Sequence, residues 1–159
     1  MIKSLILPQS QFIEASGNGA LRYSESERMG LLNARGLDGK DGYYISCVGS
    51  LGEKAFGAML GLDVKLTVNT FHAPDIIYRG HLLDVKTTYY YRPSYLFIAP
   101  YHVYEDRFYP YVQYVPNTKE FRAIGWIEGC QIDVCKYPLW NENNRVPCHR
   151  IPIYDLHKF

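Results

Sequence analysis

Two short apolar runs, Asp75-Ile-Ile-Tyr78 and His81-Leu-Leu-Asp84, are separated only by Arg79-Gly80. No other stretch constrains the fold as tightly. A two-residue turn joins antiparallel strands in one register, because a slip of one residue would send every side chain to the opposite face. The register predicted here pairs Tyr78 with His81, Ile77 with Leu82, Ile76 with Leu83 and Asp75 with Asp84. Directly opposed residues on antiparallel strands hold their Cβ atoms about 4.5–5.5 Å apart, where like charges are destabilising. The aspartate pair therefore needs compensation. A divalent cation is the natural candidate, since Mg²⁺ is held by one or two carboxylates together with waters and phosphate oxygens.

Strand alternation adds a base to the two acids. Asp84 and Lys86 project from one face, while Val85 points into apolar packing on the other. Beside a phosphodiester, a metal lowers the pKa of bound water and neutralises charge developing on the phosphate, and a neighbouring lysine orients the water or stabilises that charge. Glu53 is the expected fourth member. A helix predicted over Ser50 to Leu60, with Ser50 as N-cap and Leu51, Ala55 and Met59 at helical spacing, puts Glu53 on a face with Gly57, whose small size would leave the carboxylate room.

Elsewhere the reading is coarser. Ser24 to Arg35 has a capping serine and an acidic first turn and predicts a short helix ending at Gly36. The three glycines of Gly36 to Gly42 predict a loop. Strands are expected over Asp63 to Thr70, Asp75 to Tyr78, His81 to Thr87, Ser94 to Ala99, Phe108 to Val115 and Phe121 to Ile127, with Pro110 pushing the fifth of these toward a sheet edge. The tail from His149 to Phe159 reads as a last strand plus a terminal turn. Helices first and strands after predict one α+β domain over 1–159, a mixed central sheet flanked by helices.

Composition narrows the classes. The chain of 159 residues is 47% hydrophobic and 21% charged, that of a folded globular protein rather than a disordered one. No apolar run approaches the roughly 20 residues that span a bilayer, so no membrane association is expected and the cytoplasm is the expected compartment. A net charge of +1 means that nucleic-acid binding must come from a local patch. Arg22, Arg28, Arg35 and Lys40 form one cluster, readable as a phosphate contact or as a solvated helix face. Cys47, Cys130, Cys135 and Cys148 contain no CxxC pair, and their spacing points to thiols rather than zinc. His72 and His81 lie near the acids without a ligand pattern of their own.

Pro74-Asp75, eight residues, then Asp84-Val85-Lys86, preceded by a helix with Gly52-Glu53, resembles the PD-(D/E)XK nuclease superfamily, the restriction-endonuclease-like fold. The resemblance covers roughly Ser50 to Ala99. It implies that Asp75, Asp84 and the Val85 carbonyl ligate Mg²⁺, with Mn²⁺ able to substitute, that Glu53 completes the metal site, and that Lys86 assists the attacking water. The implied activity is hydrolysis of DNA leaving 5′-phosphate ends, with a homodimer compatible with cutting both strands. Two other readings stay open: an RNA-directed nuclease, and a binding module that keeps the fold without catalysis. Thr88, on the face of Lys86, and Arg92 are further candidates for substrate contact. Most of the tyrosines between Tyr89 and Tyr114 are expected to pack, with one or two near Arg92 left for nucleic acid.

Overall fold

The computed structural model describes residues 3–30, 39–68, 72–140 and 147–159. Two helices precede the hairpin. Helix α1 (Gln9–Arg28) begins after Pro8, whose fixed φ suits a helix entry. It buries only Ala15 and Gly19 along its length. Helix α2 (Gly39–Met59) is the central one, with a continuous buried stretch from Ser50 to Gly57. Both extend beyond the predicted bounds. Ser50 is not an N-cap: it lies inside α2, and its hydroxyl hydrogen-bonds Asn18 Oδ1 of α1 at 3.1 Å. Of the predicted loop, residues 39–42 belong to α2, and 36–38 lie outside the described residues, as do 31–35 of the first predicted helix.

The main sheet has six strands: β1 (Ser4–Ile6), β2 (Ile76–Tyr78), β3 (His81–Leu83), β4 (Lys86–Thr88), β6 (Arg107–Val115) and β7 (Glu120–Glu128). A second, antiparallel sheet holds β5 (Tyr95–Ile98), β8 (Leu139–Trp140) and β9 (Cys148–Pro152). The hairpin register agrees with expectation through its three ladder pairs, Tyr78 with His81, Ile77 with Leu82 and Ile76 with Leu83. Both turn residues have positive φ, 50° at Arg79 and 83° at Gly80, as a primed hairpin turn requires.

Strand β6 is the centre of the main sheet, antiparallel to β7 and parallel to both β3 and β4. The expectation that Pro110 marks an edge is overturned. In the register that pairs Leu83 with Phe108 and Lys86 with Tyr111, residue 110 would donate to the Asp84 carbonyl. Proline has no N–H to give, and its position coincides with the break that divides the single strand expected over His81 to Thr87 into β3 and β4. An interior strand thus tolerates Pro110 where the neighbouring strand is interrupted.

Alternation along β6 divides the core. Val112 and Tyr114 pack with Val48, Leu51, Ala55 and Phe56 of α2. Tyr109 and Tyr111 pack on the other face with Leu96, Ile98 and Ile151 of the second sheet. The helices therefore flank one face of the mixed sheet, and a second sheet covers part of the other. The predicted strand from Asp63 is absent over its described residues 63–68, which are irregular. The tail forms β9, a short 3₁₀ turn at Ile153–Asp155 and a bridge from His157 to Trp126. Among the described residues no helix is long and apolar enough to cross a membrane.

Candidate functional site

Gly52 sets α2 against β4. A Cβ there would stand 1.8 Å from Thr87 Oγ1, so only glycine permits the approach. The next residue, Glu53, is thereby carried to the margin of β4, a strand that among the described residues pairs only with β6. Gly57 plays a different part from the one expected. The space its side chain would occupy is filled by Val64, 2.1 Å from an added Cβ. Room around the acids comes instead from Ser46 and Gly49, earlier on α2, which line a cleft of about 410 Å³.

That cleft also presents Asp75, Asp84 and Lys86, together with Arg22 and Arg107. The two aspartates meet there without being ladder partners. The Asp75 N–H donates to the Leu83 carbonyl at 2.9 Å, while the Asp84 N–H turns to the Phe108 carbonyl of β6 at 2.9 Å. The Asp75 carboxylate accepts the Val85 N–H at 2.7 Å. Val85 buries its side chain in the helix-facing core, as alternation requires.

The cluster differs from expectation in how its acids are balanced. Asp84, 6% exposed, receives Arg107 Nη1 on both carboxylate oxygens at 2.9 Å. Arg107 also donates to the His72 carbonyl and lies 4.0 Å from the centre of the Tyr104 ring. Glu53, equally buried, is gripped by Arg22 through two parallel bonds of 2.5 and 2.7 Å. Burial alone would lower the Arg22 pKa, but the hydrogen bonds and charge of Glu53, with the charge of Asp75, carry it upward.

Asp75 is the acid without an arginine. The residue retains some exposed surface, yet its carboxyl group lies among protein atoms. Desolvation pushes its pKa up to about 8; the charges of Glu53 and Asp84 add to this, and Lys86 and the Val85 N–H act against it. Lys86 stands 5.7 Å from the centre of the Tyr109 ring. Among the described residues no carboxylate lies within ion-pair distance of it.

Asp75 and Asp84 are the hard oxygen donors that Mg²⁺ needs in ones or twos, its remaining positions going to water and phosphate. Among the described residues no three His, Cys, Asp or Glu side chains are grouped as a ready site for a metal, and both carboxylate oxygens of Glu53 are taken by Arg22. The cleft wall is held by Tyr109, whose hydroxyl donates to the His102 carbonyl and accepts the Tyr104 N–H, both at 2.7 Å. His72 borders the cleft and bonds the Tyr104 hydroxyl through Nδ1 at 2.6 Å, whereas His81 packs on Phe108.

Thr88 and Arg92 lie on a second cleft, of about 470 Å³, which shares Lys86 with the first. Thr88 is buried, and its hydroxyl accepts the Tyr90 N–H at 3.3 Å. Of the basic cluster near the first helix, Arg22 alone enters the acid cleft among the described side chains; Arg28 pairs with Glu25 at the surface. Arg107 was not singled out from sequence. Its meeting with Asp84 depends on parallel pairing between distant strands, which no local pattern announces.

No family model matches the chain, no curated protein matches its sequence, and no solved structure matches its fold. The likeness to the PD-(D/E)XK superfamily rests on the motif residues themselves.

Proposed function

We propose that the chain is a Mg²⁺-dependent nuclease that hydrolyses phosphodiester bonds of DNA, with Asp75, Asp84 and Glu53 as the metal-holding acids and Lys86 beside the attacking water. One observation carries this reading: three acids and three cations, Arg22, Lys86 and Arg107, are gathered at the open margin of one strand. Mg²⁺, when bound, lowers the pKa of its water and neutralises charge on the phosphate. Asp75 must release its proton before it can hold a cation, and the nearby Lys86 ammonium favours that release. Arg107 keeps the Asp84 carboxylate fixed in direction, and Arg22 does the same for Glu53. The Nη N–H groups of Arg22 not used by Glu53 suit the oxygens of a phosphate, its Nε being held by the Thr67 carbonyl. Lys86, free of an acid partner among the described residues, is the cation available to the scissile group.

A specific observation favours a second reading. Glu53 and Asp84 already have arginine partners, as they would in a nucleic-acid-binding module without catalysis. The deciding experiment incubates purified protein with duplex, single-stranded and branched DNA and with structured RNA, in Mg²⁺, in Mn²⁺ and in chelator. Metal-dependent DNA cleavage is expected. Lys86→Ala is the control, and its rate is expected to fall about 10²–10³-fold, the usual cost of removing one group that stabilises transition-state charge. Its unfolding midpoint should move little, since Lys86 loses the ring contact with Tyr109 and its attraction to Asp75 but no ion pair. Cleavage of RNA alone would select the RNA-directed enzyme. No cleavage and no heat of Mg²⁺ binding, with nucleic-acid binding retained, would select the module.

A further inference from the structure

Beyond β4 the chain displays aromatic rings that the core does not use. Tyr90 is 59% exposed and Tyr91 is 81% exposed. Such exposure is ordinary on a floppy loop, but this segment is braced. Gln113, buried in β6, donates from Nε2 to the carbonyls of Tyr90 and Tyr91 at 2.8 and 2.9 Å. The Tyr90 N–H is tied back to Thr88. A buried amide directed at two successive carbonyls fixes the backbone that carries the rings. Behind them, Tyr89 stacks on Tyr90 with centroids 5.2 Å apart and planes at 22°, and Tyr44 of α2 meets Tyr89 edge-on at 5.0 Å. Arg92 places its guanidinium 5.6 Å from the centre of the Tyr91 ring.

These residues border the second cleft, and Lys86 lines both this cleft and the acid cleft. We infer that Tyr90 and Tyr91 form a stacking shelf for the bases of an unpaired nucleic-acid strand whose backbone runs past Lys86 into the acid cleft; this rests on the nuclease reading for what occupies that cleft. Only an unpaired strand fits. In a duplex each base face is covered by its neighbours, so exposed rings find nothing to stack on, whereas a single strand offers every face. Charge agrees with the same occupant, because Lys86 and Arg92 stand at two points along the path and a polyanion neutralises both. Ring stacking also explains why the shelf is tyrosine, with broad faces and a wettable hydroxyl.

The test is fluorescence anisotropy in chelator, where no cleavage intervenes, using a labelled deoxy-oligonucleotide, the ribo-oligonucleotide of the same sequence, and the blunt DNA duplex. Single strands are expected to bind at least about ten-fold tighter than duplex. Tyr90→Ala/Tyr91→Ala should lose about 10- to 100-fold for the single strands, in line with the usual worth of base–aromatic stacking. Tyr90→Phe/Tyr91→Phe should bind as the unaltered protein does, because rings rather than hydroxyls make the contact. The unfolding midpoint is expected to be unchanged in the phenylalanine variant and to fall only slightly in the alanine variant, which loses the Tyr89 stack. Equal affinity for single strand and duplex would overturn the inference, as would an alanine variant that binds normally. Binding that depends on these tyrosines, in a protein that cleaves nothing with Mg²⁺, would support the shelf while removing the nuclease reading. Cleavage indifferent to the tyrosines would do the reverse.

Discussion

Glu53 and Lys54 are consecutive on α2 and both are buried, yet their surroundings follow opposite rules. Lys54 reaches outward to Glu14 at 3.1 Å and Asp63 at 2.9 Å, acids that are 54% and 82% exposed, and it also donates to the Val64 carbonyl. One cation meets an excess of acceptors, and water shares in solvating the acids. Glu53 looks inward. Its partner Arg22 is mostly covered, and beyond the pair lie Asp75 and Asp84 with Arg107 and Lys86. Two acids there are closed by arginines, and one acid and one lysine are left open. The Lys54 cluster ties α1, α2 and the chain after α2 together. The Glu53 side retains unbalanced charge at a cleft, which is where perturbed ionisation and chemistry tend to coincide.

Asp84→Ala separates the two surroundings most directly. Opposed aspartates on their own would make this substitution stabilising, because it removes a repulsion. Arg107 reverses that expectation. Arg107 is 6% exposed and would lose its carboxylate, and removing one partner of a buried pair costs about 3–5 kcal/mol. A denaturant titration should show a loss of that order, and Asp84→Ala/Arg107→Met should recover much of it. If Asp84→Ala is as stable as the parent, Arg107 is not the counter-ion inferred here.

The next effect is one of pH. Asp75 holds its proton up to about pH 8 in the folded chain, against an ordinary value near 4. Between these limits unfolding releases a proton, so rising pH favours the unfolded state. Stability present below pH 4 should decline through the window by up to about 1.4 kcal/mol per pH unit, with the sign opposite to that of a salt-bridged carboxylate. Asp75→Asn should flatten this slope, measured as unfolding free energies at pH 5, 6, 7 and 8. For the same reason Mg²⁺ affinity should rise with pH up to about 8, since the cation competes with the proton for Asp75. A parent protein with no slope to flatten would place the Asp75 carboxylate in water.

The hairpin was legible because its information is local: a two-residue turn ending in glycine, flanked by runs of equal length, leaves one register. Val85 pointing inward and Lys86 sharing the side of Asp84 follow from the same two-residue period. Helix α1 was obscure for the opposite reason. Gly17, Asn18 and Gly19 and its serines are poor helix formers, and the helix is held by packing on α2, which no window of sequence contains. Ser50 was misread because the residues that cap helices also sit inside them when a distant partner, here Asn18, takes their hydroxyl. The stretch after Asp63 has strand-like composition, yet Lys54 claims the Val64 carbonyl that a ladder would need. In the site, the acids were visible as a motif, whereas Arg22 and Arg107 enter through tertiary contacts across 31 and 23 residues.

The smallest effect concerns the Lys54 side and tests whether it is as forgiving as its exposure implies. Glu14→Ala removes a half-exposed acid and leaves Lys54 with Asp63 and the Val64 carbonyl, so the loss should stay below about 1 kcal/mol. Asp63→Ala should behave alike. Together they should cost more than the sum of the two, because the second deletion, whichever it is, leaves a buried ammonium facing a single carbonyl. Burial by itself would lower the Lys54 pKa, and Asp63 and Glu14 are what hold it up. The double variant should therefore also become more stable as pH rises toward the range where Lys54 can shed its proton, a trend absent from either single variant. Strict additivity of the two deletions would mean that Lys54 is solvated in the folded chain, and the contrast with Glu53 would then reduce to the arginines around the cleft.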